Sequence, residues 1–161
     1  KLIIADEPTT ALDVTIQAQV IDVLMAAKER AGAASILVTH DLGLVGEVAD
    51  RVVVMYAGRV VEQAGTDQLF DAPRHPYTVG LIRSLPAIGT RRGRLVAIPG
   101  QPPNLLQEPT GCPFRRRCTL AGGRAECRDV TPSLAEVAPG HHAACHFVDE
   151  VPAWIERTGA R

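Results

Sequence analysis

Much of what this 161-residue sequence lacks bears on function. Aromatic side chains, which would stack bases, are scarce, and seventeen basic residues against eighteen acidic ones leave a net charge of -1. Nucleic acid is therefore not an expected ligand. No apolar run approaches the ~18 residues of a membrane span, and no signal-peptide pattern opens the chain. The chain is expected to be soluble by itself, with any membrane role reached through a partner. A phosphate-binding loop of the form GxxxxGK[ST] is absent. The chain starts at Lys1 and enters an apolar run at once. These features lead us to expect the carboxyl-terminal part of a longer protein. The length leaves room for one domain and a small appendix.

What is present is concentrated in the first thirteen residues. Leu2-Ile3-Ile4-Ala5 is a short apolar run that ends in Asp6-Glu7 and then Pro8. Such a run reads as a strand buried on both faces, as in a parallel sheet. Ligands of open α/β sheets bind beyond the carboxyl ends of the strands. Asp6 is thus placed to hold a metal and Glu7 to reach the chemistry. In phosphoryl transfer a strand-end Asp holds Mg²⁺ while another group orients the attacking water. A solvated acidic turn is the bland alternative.

The full stretch Asp6-Glu7-Pro8-Thr9-Thr10-Ala11-Leu12-Asp13 closely resembles the Walker B motif and D-loop of ABC-type ATPases. The resemblance implies that Asp6 holds the Mg²⁺ shell and that Glu7 is the general base on water. It implies that Asp13 lies in the loop crossing to a second nucleotide-binding domain. Where that loop usually begins with Ser, this chain has Thr10, which keeps a hydroxyl. The family's Gln-bearing loop and Leu-Ser-Gly-Gly stretch are not found.

Thr15 to Ala31 reads as a helix, with Ile16, Val20, Val23, Leu24 and Ala27 at core spacing, Asp13 or Thr15 available as cap, and Gly32 ending it. Ser35 to Thr39 reads as a second buried strand. Strand, helix and strand make a βαβ unit with a right-handed crossover. That brings His40 to the same sheet edge as Asp6 and Glu7. Val38-Thr39-His40-Asp41 resembles the family's H-loop, which implies that His40 contacts both the γ-phosphate of ATP and the catalytic Glu.

Leu42 to Ala49 reads as a short helix. Arg51 to Tyr56 is expected as a third parallel strand, returning through Ala57-Gly58 along Arg59 to Glu62. Thr66 is expected to cap another helix. His75-Pro76-Tyr77-Thr78, ahead of Gly80-Leu81 and Ser84-Leu85-Pro86, suits a helix with Pro in its first turn and a structural His75. The same residues resemble the extension of the ATPases of oligopeptide and dipeptide importers, and of related nickel importers. The nucleotide-binding part is expected to occupy 1–84, and an irregular Cys- and Pro-rich extension 85–161. Within that extension Arg94 to Pro103 is expected to be a short strand running into a rigid, turn-rich segment, with fraying after Val148 and Trp154 docking locally.

Cys112, Cys118, Cys127 and Cys145 follow C-x5-C-x8-C-x17-C, without the close pair of zinc fingers and ribbons. A cytosolic ATPase would keep its thiols reduced, so metal ligation is preferred to disulfides. Spacing leaves an iron–sulfur cluster, zinc and free thiols open, and His141, His142 and His146 keep mixed Cys/His zinc in play. Resemblance to the Cys-bearing importer ATPases, some held to carry a [4Fe-4S] cluster, implies iron. Arg115-Arg116-Arg117, Arg124 and Arg128 would favour either thiolate site.

The expected fold class is α/β: the second half of a P-loop, ABC-type nucleotide-binding domain followed by the extension. The resemblance implies an ATP- and Mg²⁺-dependent ATPase subunit, inactive as this chain alone, that powers peptide import. It further implies a second nucleotide-binding domain (identical or not), membrane permease subunits, an extracytoplasmic peptide-binding protein, and a peripheral place on the cytoplasmic face of the inner membrane. Two other classes fit parts of the sequence. One is a soluble ABC ATPase of repair or translation. The other is a non-catalytic metal-binding or interaction module.

Overall fold

The structure, a computed structural model, describes residues 1–85, 97–106 and 109–158. These form two compact units, Lys1–Leu42 and Gly43 onward. The first unit is the expected strand, helix and strand. Strand β1 (Leu2–Asp6) pairs in parallel with β2 (Ala34–Val38), Asp6 standing opposite Val38. Between them runs helix α1 (Val14–Ala31). Asp13 caps it, its Oδ1 accepting the Ile16 N–H at 3.0 Å, which satisfies one of the donors a helix start leaves unpaired. Gly32 closes it in the left-handed region at φ 53°, and the Gly32 and Ala33 N–H groups bond to Glu29 and Lys28 carbonyls.

Burial in this unit corrects two expectations. Both strands alternate rather than lying covered on two faces, and Leu2, Ile4, Ile36 and Val38 stay exposed. Two strands alone offer too little sheet to cover both sides. The helix stripe is shifted as well: Ile21 is the buried residue, whereas Ile16 and Val23 are exposed.

The second unit begins within helix α2 (Leu42–Val48). Its sheet is antiparallel, in the order β3 (Arg51–Tyr56), β4 (Arg59–Gly65), β6 (His141–Ala143), β5 (Ala135–Ala138). The expected third parallel strand is therefore the edge of a different sheet. The β3–β4 turn uses two left-handed residues, Ala57 at φ 51° and Gly58 at φ 74°, whose twist suits a two-residue hairpin. Register then slips between Val54 and Met55, which pair with Glu62 and Val60 and leave Val61 as the extra residue of a bulge. A one-residue slip reverses which side chains face inward. Glu62 thereby stands opposite the buried Val54.

Helix α3 (Thr66–Asp71) is not capped by Thr66, whose hydroxyl donates instead to the Ala49 carbonyl. Helix α4 (Pro76–Arg83) has Pro76 at its start and His75 as its cap. The expected strand from Arg94 falls largely on residues 94–96, outside the described residues, and Ala97 to Pro99 are not strand.

Residues after 97 are less irregular than their composition suggests. They include β5, β6, helix α5 (Ala125–Asp129) and helix α6 (Val151–Arg157). They also share a core with the earlier part of this unit: Val52, Val54, Leu69 and Tyr56 pack with Cys112, Phe114, Ala121 and Cys127. The compact units part near residue 42. Phe114 anchors this core, with the Tyr56 ring 5.2 Å away edge-on and the Tyr77 ring at 5.4 Å. A second cluster joins Val79, Leu120, Val151 and Trp154. Residues 148–157 are helical where fraying was expected. Arg83 lies over the Trp154 ring at 5.3 Å and donates to the Thr158 hydroxyl at 2.6 Å.

Candidate functional site

In the first unit, the carboxyl ends of β1 and β2 bring Glu7 and His40 together. Glu7 follows the last residue of β1 and adopts φ 47°, a left-handed conformation uncommon for a residue with a Cβ. Its N–H donates to the Val38 carbonyl at 2.8 Å, fixing the turn to the end of β2. The Glu7 carboxylate meets His40 Nδ1 at 2.8 and 2.9 Å, and its Oε2 accepts the Thr10 hydroxyl at 2.8 Å. These bonds hold the Glu7 carboxyl below its usual range, with His40 the larger cause and Thr10 the next. The same carboxylate raises His40 above its ordinary value. A carboxylate only accepts, so Nδ1 carries the proton and Nε2 points its chemistry elsewhere. The His40 side chain is 78% exposed and that of Glu7 38%, so the pair faces solvent.

Asp6 is exposed at the end of β1, and Asp13 spends one carboxylate oxygen on capping α1. Thr10, noted in sequence only for keeping a hydroxyl, proves to be a partner of Glu7. The signal was its position three residues on, within reach across a tight turn.

In the second unit, Cys112, Cys118, Cys127 and Cys145, spread over 34 positions, line one small cavity with His75 and His146. All four are free thiols. Burial raises each of them, Cys118 to about 11 and Cys145 to about 12, so they are neutral without a compensating cation. His141 and His142, weighed as zinc partners, are not among the residues that line the cavity. His141 is buried and its Nε2 meets Glu62 Oε1 at 2.7 Å. Glu62 in turn accepts the backbone N–H groups of Arg74 at 2.6 Å and His75 at 2.9 Å. That buried carboxylate gave no sign in sequence, because its inward position depends on the bulge.

A single zinc ion needs donors converging about 2.3 Å from one point. Among the described residues no three His, Cys, Asp or Glu side chains are grouped to hold one ion. The zinc expectation therefore has no support, and the iron–sulfur expectation gains none from that test.

The sequence pattern of the family described as "Oligopeptide/dipeptide transporter, C-terminal region" matches residues 61–127. The oligopeptide transport ATP-binding protein of Mycobacterium tuberculosis is 55% identical over 145 residues, 89% of this chain and 23% of that protein. The chain belongs to the oligopeptide/dipeptide transporter ATP-binding family. A second relative in this family is a probable peptide ABC transporter ATP-binding protein of Sinorhizobium fredii. It is 52% identical over 154 residues, 94% of this chain and 45% of its own length. A third, the dipeptide transport ATP-binding protein of Escherichia coli, is 48% identical over 147 residues, 91% of this chain and 44% of its own length. The chain thus spans less than half the length of each of these transporter-family relatives.

Proposed function

We propose that this chain supplies the water-activating edge of an ATP-hydrolysing subunit that powers import of oligopeptides or dipeptides. The observation that carries the reading is the Glu7–His40 pair at the carboxyl ends of two parallel strands. Glu7, ionised at neutral pH, accepts the proton of the attacking water at its carboxylate. His40 holds that carboxylate through Nδ1 and turns Nε2 toward the γ-phosphate. Its raised affinity for a proton favours a donor at Nε2, suited to a phosphate oxygen. Mg²⁺, held through its shell by Asp6, would neutralise charge on the phosphates. Asp13 would link to a second nucleotide-binding domain from the loop that its side chain also caps. The permease subunits, the peptide-binding protein and a peripheral place at the cytoplasmic face of the membrane belong to the same reading. No helix of the described residues is long and apolar enough to cross a membrane.

The support for peptides as cargo is the naming of the relatives. In the full-length protein, Glu7→Gln is expected to lower ATP hydrolysis by ~10²–10⁴-fold while nucleotide binding persists. A near-normal rate would identify some other base.

The extension adds a second part to the proposal: Cys112, Cys118, Cys127 and Cys145 hold an iron–sulfur cluster of the [4Fe-4S] type. What supports this part is that the four thiols line one cavity. Bound there, such a cluster would supply thiolate bonds that tie distant parts of this segment together.

A further inference from the structure

Two residues outside the Glu7–His40 pair, Thr10 and Gln17, build a support for the Glu7 carboxylate. His40 by itself does not tell the two oxygens of that carboxylate apart, since its Nδ1 stands 2.8 Å from Oε2 and 2.9 Å from Oε1. Thr10 does. Its hydroxyl donates to Oε2 at 2.8 Å, and a hydroxyl has a single proton to give. An ionised carboxylate offers about two acceptor sites on each oxygen. Thr10 and His40 together fill Oε2, and Oε1 keeps the open site.

The place of Thr10 is itself fixed. Its N–H donates to the Glu7 carbonyl at 3.2 Å, closing the turn, and its β-branched side chain has a restricted choice of rotamer. Glu7 at φ 47° and Ala11 at φ 63° lie on either side of it, both left-handed although neither is glycine. Such conformations persist where the surrounding structure over-determines them. Gln17 supplies that constraint from helix α1. Its Nε2 donates to the Thr9 carbonyl at 3.3 Å and to the Leu12 carbonyl at 3.2 Å, spending both amide protons. The Leu12 N–H also donates to the Thr9 carbonyl, and Thr9 is buried. The two carbonyls that Gln17 grips bracket Thr10 and Ala11, so its amide sets the part of the loop that carries the Thr10 hydroxyl.

We infer that Thr10, braced by Gln17, is a positioning residue for Glu7: it holds Oε2, so that Oε1 is the oxygen presented to the attacking water. This rests on the reading of Glu7 as the base. A base is effective when its lone pair is aimed at the proton it takes, and misplacement by about 1 Å already costs much of the rate. Glu7 is long and partly exposed, and with His40 alone a turn of the carboxylate about its last bond exchanges the two oxygens. The Thr10 hydroxyl removes that exchange.

The test measures kcat and KM for ATP in the full-length protein, for wild type, Thr10→Val, Thr10→Ser, Gln17→Met and the Thr10→Val/Gln17→Met pair, with Glu7→Gln as reference. Valine keeps the branched shape without the hydroxyl, serine keeps the hydroxyl, and methionine keeps the length of Gln17 without its donors. Thr10→Val is expected to lower kcat by ~10–10²-fold at unchanged KM. Thr10→Ser should recover most of that loss, and Gln17→Met should fall between wild type and Thr10→Val. Because both residues act through one oxygen, the pair should be no slower than Thr10→Val alone. Wild-type kcat in Thr10→Val, a loss that appears in KM alone, a fall that serine does not recover, or losses that multiply in the pair would each overturn the inference. Should Thr10→Val fail to bind nucleotide, Thr10→Ala takes its place under the same expectations. If Glu7→Gln collapses the rate while Thr10→Val does not, the base stands and only its support is refuted. A near-normal rate in Glu7→Gln removes the base itself, and this role of Thr10 with it.

Discussion

Replacing Glu62 by Ala should be among the most damaging single changes in the second unit. Its side chain is 0% exposed, and its carboxylate accepts three donors: Arg74 N–H, His75 N–H and His141 Nε2. Truncation leaves all three without an acceptor. An unmet buried donor costs ~1–3 kcal/mol, so the loss is roughly 3–9 kcal/mol. Water entering the vacated polar space would bring it toward the lower end. Small domains hold only ~5–15 kcal/mol in total. The measurement is urea unfolding followed by Trp154 fluorescence, since this single Trp is 8% exposed and sits in the same unit. The expected result is a midpoint far below wild type, or no folded baseline. A double-mutant cycle with His141→Phe should show coupling of ~1.5–3 kcal/mol, the range for a hydrogen bond to a charged group. A Glu62→Ala loss under about 1 kcal/mol would refute the idea that these three bonds organise the unit.

Two further outcomes are open to direct measurement. His40 should titrate above 6.5 by NMR, and Glu7→Gln should bring it back toward that value, because Glu7 is the main cause of the rise. The sign follows from the two shifts. The raised His40 favours the folded state below about pH 6.5, and that contribution fades as pH climbs through its folded value. The lowered Glu7 favours it above 4.5, and that contribution is lost as pH falls through its own folded value. The pair is therefore strongest in the mildly acidic range, and a His40 value unchanged by Glu7→Gln would contradict the geometry. Gly111→Ala should unfold the Cys112–Cys127 contact. Gly111 has φ 67°, and a Cβ there would overlap the Arg128 and Cys127 carbonyls beside the 2.8 Å bond from Cys112 N–H to Cys127 O. We expect a loss of ~1–3 kcal/mol and faster hydrogen exchange at the Cys112 amide. Wild-type exchange in the variant would mean the turn has room to spare.

Features written within a few residues of one another were legible. Asp13 as a cap, Gly32 as a helix end, the Ala57-Gly58 turn and Pro76 at a helix start each act over one turn of chain. The meeting of Glu7 and His40 was also foreseeable. A strand, a helix and a parallel strand must return to the same sheet edge, and both residues stand just past strand ends. Burial was less legible. Apolar content in Leu2 to Ala5 says that a strand is stable under cover, but it does not state that cover is present, and Leu2 and Ile4 stay exposed.

What the sequence hid was decided by pairing across long distances. β4 joins β6 through Glu62 with Ala143 and Gln63 with His142, so the Cys-bearing segment completes a sheet begun some eighty residues earlier. No local pattern marks that partner. The bulge at Val61 carries the consequence further, because only after that slip does Glu62 face inward to take His141, Arg74 and His75. His75 illustrates the same division within a single side chain. Its capping nitrogen answers to Tyr77 two residues away, where the sequence had marked only Pro76 in the first turn and a structural His75. Its ring also lines a cavity with cysteines between 37 and 70 positions later, brought round it by Phe114 packing and by the β4–β6 pairing. A residue whose backbone, first nitrogen and ring face are all held by separate partners is fixed by distant pairing as much as by its neighbours in sequence.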